Sequence, residues 1–200
     1  MLTTIPLCAS GHKLTARCAA ALAHAEHWLR YPPAKALEKR ANTNRRGTPL
    51  HLLVQQRCPK PAAVGHTGAD KDAGSVLGFT GWLAYPPDPY VVQSTTYLTT
   101  STHGSGVNVQ TKMLLWQVAQ CADVPLIASV HEDNGRSLAA VRKLWPDATA
   151  RRCYEEHKSR WAVVTDLTDP PRNGRPWPQT LVEHYAATVR QILLAVADGR

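Results

Sequence analysis

The apolar positions fall into two periods, and the change from one to the other divides the chain. After a brief apolar stretch from Leu2 to Leu7, the residues from Leu14 to Leu29 are Ala-rich with few β-branched side chains. That pattern predicts a helix ending near Tyr31-Pro32-Pro33, and residues 33–40 predict a shorter one with proline in its first turn. Residues 42–49 are polar and carry Gly and Pro, as a loop does. From Pro49 the pattern turns to strands: Pro49 to Gln56, Val76 to Tyr85 and Tyr90 to Thr100, the last rich in β-branched residues. A loop rich in Pro, Gly and Asp at 59–75 and the run Pro86-Pro87-Asp88-Pro89 separate them.

In the second half, THGSGVNVQTKMLLWQVAQ (Thr102 to Gln120) places two glycines before a helical repeat. The helix is predicted from Val107 to Cys121, with Leu114, Leu115, Val118 and Ala119 on one face. A short buried strand, Pro125 to Val130, leads to a helix from Gly135 to Leu144 that Asp133 or Asn134 can cap, and Trp145-Pro146-Asp147 stops it. Residues 149–166 read as two strands around a basic turn, residues 169–178 as a Pro/Arg-rich, linker-like piece, and Thr180 to Asp198 as a C-terminal amphipathic helix. A strand–helix–strand unit occurs only once, so the pattern predicts a mixed-sheet α/β domain and not a doubly wound one.

Length and composition narrow this to one domain over residues 1–200: the chain is 44% hydrophobic, enough for a single core. No stretch reaches the ~18 uninterrupted apolar residues of a membrane helix. The N-terminal segment has neither the basic region nor the apolar length of a signal peptide, and the expected location is the cytoplasm. The five cysteines are scattered and never spaced as CxxC, which predicts reduced, mostly buried thiols. His24 and His27, near Trp28, are spaced as half a metal site with no third ligand, so no metal is expected. A net charge of +8 favours anionic partners: nucleic acid, a ribosome or a phosphate-bearing cofactor.

The glycine turn carries the most specific chemistry. Glycines between a strand and a helix let backbone approach a ligand, and the first helical N–H groups, backed by the helix dipole, attract phosphate. A dinucleotide fingerprint is excluded, because the turn offers only Gly104-Ser105-Gly106, in mid-chain and after three strands. A P-loop is excluded because Val107-Asn108-Val109 stands where Gly-Lys-Ser/Thr would be needed.

The same turn, followed by SVHEDNGRSLAAVRKLW from Ser129, resembles the GNAT superfamily of acyltransferases, and most of all its branch related to ribosomal-protein N-terminal acetyltransferases. The superfamily's Q/R-x-x-G-x-G/A motif lies best on His103 to Asn108. Thr96-Tyr97-Leu98, with Gly106-Val107-Asn108 and Lys112, is similar to a T-x-L … G-[IV]-N … K pattern of that branch, and Asn134 and Ser137 keep the branch's three-residue spacing. Coarser likeness, including Tyr31-Pro32-Pro33 and VLGFTGWL, extends over most of the chain, while the specific part runs from Thr95 to Leu144. His103 and Asn108 depart from the motif's Gln/Arg and Gly/Ala. Trp145-Pro146 replaces a common Gly-Phe, and Val141 stands where many members keep a tyrosine acid.

The resemblance implies a GNAT-like α/β (α+β) fold: a mixed, mostly antiparallel sheet of six to seven strands, helices on both faces, and a V-shaped splay for the acyl-CoA. It implies acetyl-CoA or another acyl-CoA as cosubstrate, with the pyrophosphate held by His103, Gly104, Ser105, Gly106, Val107, Asn108 and Val109. The main chain of Thr96, Tyr97 and Leu98 would pair with the pantetheine arm. Asn134 and Ser137 would bond to the arm, unless Asn134 caps its helix instead. Direct attack of an amine on the thioester needs a base and an acid. His131 and Glu132, after the Pro125–Val130 strand, are candidates for the base, and Tyr154 for the acid. The acceptor would be an amine on a protein N-terminus, a small molecule or a modified nucleotide; nucleic acid or ribosome contact is compatible with the charge. A monomer or homodimer without membrane attachment is expected. The rival is a catalytically silent module of the same fold that binds nucleic acid or a partner protein through its basic surface.

Overall fold

The computed structural model describes residues 2–6, 12–22, 34–38, 50–56, 75–85 and 88–197. Its strands are β1 (Leu2–Pro6), β2 (Leu50–Gln56), β3 (Ser75–Tyr85), β4 (Asp88–Leu98), β5 (Leu126–His131), β6 (Ala150–Glu155) and β7 (Arg160–Asp166). Its helices are α1 (His12–Ala21), α2 (Val107–Ala122), α3 (Gly135–Leu144) and α4 (Gln179–Ala197). Residues 34–38 add a helical turn. The seven strands form one sheet in the order β1-β2-β3-β4-β5-β7-β6. Every neighbouring pair is antiparallel except β4–β5, where α2 makes the crossover. The opening apolar stretch is thus an edge strand of the sheet.

Register assigns side chains to two faces, because residues paired across a sheet point the same way. Phe79 pairs with Tyr97, and both face α1, where Cys18, Leu22, Ala36 and Leu37 complete a small core. Burial there pushes the Cys18 thiol up to about 12. Leu52, Trp82, Val92, Leu126 and Ala128 face the other way, onto Leu114, Leu115 and Val118 of α2 and onto Val182, Ala186 and Val189 of α4. We call these the α1 face and the α2 face.

Both long edges of β4 are unusual. Its ladder with β5 has three rungs, Val92–Leu126, Gln93–Ile127 and Ser94–Ala128, and then stops. Thr95 to Leu98 and Ser129 to His131 run on in the ladders of their outer neighbours β3 and β7, while Gln93 Nε2 donates across the seam to the Ser129 carbonyl (3.5 Å). This is the expected splay. On its other side β4 is held very close to β3 at Gly78 (φ +138°), where a Cβ would meet the Tyr97 carbonyl oxygen at 2.1 Å. Only glycine fits there.

Residues 169–178, linker-like in composition, are mostly exposed but fastened at several points. Trp177 donates its backbone N–H to Gln117 Oε1 (2.8 Å) and its indole to the Gln110 carbonyl (2.8 Å), while the Trp145 indole donates to the Asp169 carbonyl (2.6 Å). Indole N–H groups and a buried Pro171 tie the segment to α2 and α3. The predicted helix after Ala21, Tyr31-Pro32-Pro33, the loops at 42–49 and 59–74, and His24, His27 and Trp28 lie outside the described residues. Among the described residues no helix is long and apolar enough to cross a membrane.

Candidate active site

The splay opens onto the glycine turn. Beyond Leu98 the chain makes a short 3-10 turn at Thr100–Thr102, fixed by Thr102 Oγ1 donating to the Thr99 carbonyl (2.7 Å) and Thr99 N–H to the Leu77 carbonyl (2.8 Å). Ser105 Oγ closes on the Thr102 carbonyl (2.6 Å). Gly104 and Gly106 both take left-handed φ, +75° and +79°. At that geometry Gly106 starts α2 without a side-chain cap, and no acidic residue occupies the first turn. Apart from a long contact of the Val107 N–H to Ser105 Oγ (3.4 Å), the first amides of α2 have no acceptor among the described residues. These are the donors a helix start leaves over, and here nothing in the protein competes for them. A Cβ on Gly104 would meet nothing within 4 Å, and one on Gly106 only Val109 Cγ1 at 3.9 Å, so space lies in front of both.

Behind the turn, α2 lays an unusual polar strip against the sheet. Lys112 is buried on the second turn of α2 and donates to Ser94 Oγ at 3.4 Å, beside the last rung before the splay. Thr80 Oγ1 lies 2.8 Å from Thr96 Oγ1 and donates to the Thr95 carbonyl (3.0 Å). Burial alone lowers the Lys112 ammonium to about 8.

The α1 face of the splay holds a second polar cluster, which no motif in the sequence marks. Glu155, on β6, is fully buried; its carboxylate accepts from Ser129 Oγ on β5, from Lys158 Nζ (3.1 Å) and from Arg160 Nε (2.9 Å). Lys158 also donates to Gln93 Oε1 on β4 (3.1 Å), so the cluster spans the mouth of the splay from β4 to β6. Burial would raise the Glu155 pKa, but the Ser129 hydrogen bond, the Lys158 charge and Arg160 hold it below the ordinary carboxylate range. Burial lowers Lys158, and Glu155 partly offsets this.

The proposed acid and base residues are distributed differently. His131 sits at the open end of β5, on the Glu155 face. Its Nδ1 accepts the Asp133 N–H (3.1 Å), which puts the proton of the neutral ring on Nε2. Glu132 is engaged by Arg152 through two hydrogen bonds (2.7 and 3.3 Å), which hold its carboxyl below the usual range. Tyr154 is half-exposed, edge-on to Trp161 (centroids 5.4 Å apart), on the opposite side of β6 from Glu155. Two strand spacings, about 10 Å, separate β6 from β5. Asn134 caps α3, its Oδ1 accepting the Ser137 N–H at 3.1 Å, so these two residues are joined to each other at the helix start. Thr96, Tyr97 and Leu98 lie on the splayed edge of β4, where Tyr97 also stacks on Phe79 (5.1 Å). Trp145, which replaces the common Gly of the family pattern, is buried in the α2-face core.

Seven strands, one parallel junction and a splay facing a glycine turn define the architecture. The fold is that of the GNAT acetyltransferases. RimL, a ribosomal L7/L12 α-N-protein acetyltransferase solved with coenzyme A, superposes with a TM-score of 0.57 at 14% identity, over 83% of this chain and 93% of its own. A GNAT superfamily phosphinothricin acetyltransferase from Sinorhizobium meliloti, solved with acetyl-CoA, gives 0.55 at 12% identity, over 88% and 96%. The microcin C7 self-immunity acetyltransferase MccE, solved with acetyl-CoA and AMP, gives 0.57 at 12% identity, over 83% and 91%. Neither a family model nor a curated protein sequence matches the chain.

Proposed function

We propose that the protein is an N-acyltransferase that moves an acyl group from acetyl-CoA, or another acyl-CoA, to a primary amine by direct attack. One observation carries the reading: β4 parts from β5 after Ser94, and the gap leads to a helix start whose amides lack acceptors. A strand edge parted from its neighbour suits an extended amide-bearing arm, and amides at a helix N-terminus suit phosphates. The residues present fit a coenzyme A. Amides of Val107, Asn108 and Val109, with Gly104 and Gly106, would take the pyrophosphate beside His103 and Ser105. The main chain of Thr96, Tyr97 and Leu98 would take the pantetheine. Asn134 and Ser137 would act from the start of α3.

The amine would enter on the α1 face. There Glu155, kept ionised by its partners and linked to β5 through Ser129, would take the ammonium proton through a water. The neutral amine then attacks the thioester carbon, the C–S bond breaks, and the proton that the attacking nitrogen loses goes to the sulfur. His131, on β5 itself with its proton on Nε2, is favoured over Tyr154 as a hydrogen-bond donor to the departing sulfur. Glu132 serves less well as a base because its partner Arg152 lies on the opposite face of β6 from Glu155. Among acceptors, a protein N-terminus is favoured by the likeness to RimL, with small amines and modified nucleotides next.

Calorimetric titration with acetyl-CoA tests the reading. Micromolar binding is expected in the unaltered protein, and loss of at least tenfold in Gly106→Trp, whose side chain would project into the space before α2. Absence of acyl-CoA binding, together with a salt-sensitive nucleic-acid complex, would favour a silent basic module instead.

A further inference from the structure

Lys112 stands out in the α2 face. An ammonium has three N–H donors, and among the described residues this one has a single acceptor, a serine hydroxyl at the long end of hydrogen-bonding range (3.4 Å). No carboxylate among the described residues pairs with it, and its lowered pKa has burial as its sole cause. An unpaired charge held out of water destabilises a fold unless something else uses it. A methionine of similar volume would serve the packing better, since Leu114, Leu115 and Val118 on the same helix are fully buried in apolar surroundings.

Position indicates the use. Helical side chains lean toward the helix N-terminus, so a lysine on the second turn of α2 reaches back toward the splay. Its contact is Ser94, the last β4 residue paired with β5. Past that rung β4 and β5 no longer pair with each other. The amides that would hold phosphates, Val107 to Val109, are three to five residues away, roughly 4 to 8 Å along the axis at 1.5 Å per residue. The Ser94 contact puts the ammonium beside β4, the strand along which the arm would lie.

We propose that Lys112 is a binding residue for the acyl-CoA arm, its ammonium donating from under α2 to a carbonyl oxygen of the pantetheine in the splay. The proposal rests on the acyl-CoA reading above. The buried charge is a cost in the free protein and a donor in the complex. Removal should therefore raise stability while lowering affinity, the opposite of what a structural lysine gives.

The experiment compares the unaltered protein with Lys112→Met and Lys112→Gln, by thermal unfolding and by titration with two probes. Acetyl-CoA carries the arm; adenosine 3′,5′-bisphosphate carries a nucleotide and phosphates but no arm. Expected for Lys112→Met are a higher Tm, acetyl-CoA affinity down at least tenfold, and unchanged bisphosphate affinity, with the same affinity pattern in Lys112→Gln. Equal losses for both probes would move Lys112 to the phosphates and overturn the proposal. So would unchanged acetyl-CoA affinity, or a lower Tm in both variants. If the unaltered protein binds neither probe, the acyl-CoA reading itself fails and the proposal with it. Binding of acetyl-CoA unaffected by Lys112 would remove the proposal alone.

Discussion

Two charged side chains are buried beside the splay, one on each face of the sheet, and the protein treats them in opposite ways. Glu155 is surrounded: Ser129, Lys158 and Arg160 all donate to it, from β5, a second 3-10 turn at Glu156–Lys158 and β7. Lys112 has Ser94 alone among the described residues. The carboxylate holds pieces of the fold together, and its own charge is compensated twice over. The ammonium holds little, and no described carboxylate compensates it. Buried charge is thus no single category: one is compensated by its neighbours, the other has no described counter-charge.

That contrast can be broken from the Glu155 side first. Glu155→Gln removes the anion shared by Lys158 and Arg160 and should cost about 3 kcal/mol in urea unfolding, the largest single effect expected here. The deficit should narrow in acid. The folded Glu155 pKa lies below the ordinary 4.5, so its stabilisation is fully present above 4.5 and fades as pH falls through the lower folded value. Equal stability of Glu155→Gln and the unaltered protein at pH 7 would make the cluster ornamental.

Lys112→Met is expected to move stability the other way, upward by about 2 kcal/mol near neutral pH. Its advantage should shrink as pH rises from 8 toward 10.5. In that range the unfolded chain keeps the Lys112 proton and the folded protein releases it, so the unaltered protein gains stability relative to the variant. Differences between the two proteins at each pH are the quantity to read, because the buried Cys18 thiol, raised to about 12, works in the opposite sense above pH 9. Smaller still, Asn134→Ala should cost about 1 kcal/mol by loss of the α3 cap. Least of all, breaking the exposed Arg151–Asp166 pair (3.0 Å) by Arg151→Ala should change unfolding by under about 0.5 kcal/mol.

The sequence made much of this visible, and unevenly. Strands and helices from Val76 onward could be read because their period is local: β4, α2, β5 and α3 start and stop within a few residues of the expected positions. The glycine turn could be read because a left-handed Gly106 before a helix has few alternatives. Glu155 could not. Its role depends on Ser129, 26 residues away and two strands across the sheet, and no periodicity encodes that contact. The candidate on that strand, Tyr154, is its direct neighbour, and neighbours on a strand point to opposite faces. Lys112 belongs to a visible spacing pattern, but its burial is a product of how α2 lies on β4. Residues 169–178 look like a linker because Pro and Arg dominate the composition, while the two indoles that fasten the segment and its neighbour to the helices weigh little in any local average.

The three-rung junction has a mechanical side. Backbone hydrogen bonding divides the sheet into a four-strand sector, β1 to β4, and a three-strand sector, β5-β7-β6, stitched at Val92 to Ser94. Pulling the sectors apart loads those few bonds, the Lys158–Gln93 tie on one face and the helices packed on the other. Amide exchange should find the two sectors opening as separate units, with the seam as their common hinge. Any extended chain laid into the gap would work as an eighth strand, welding the two sectors into one.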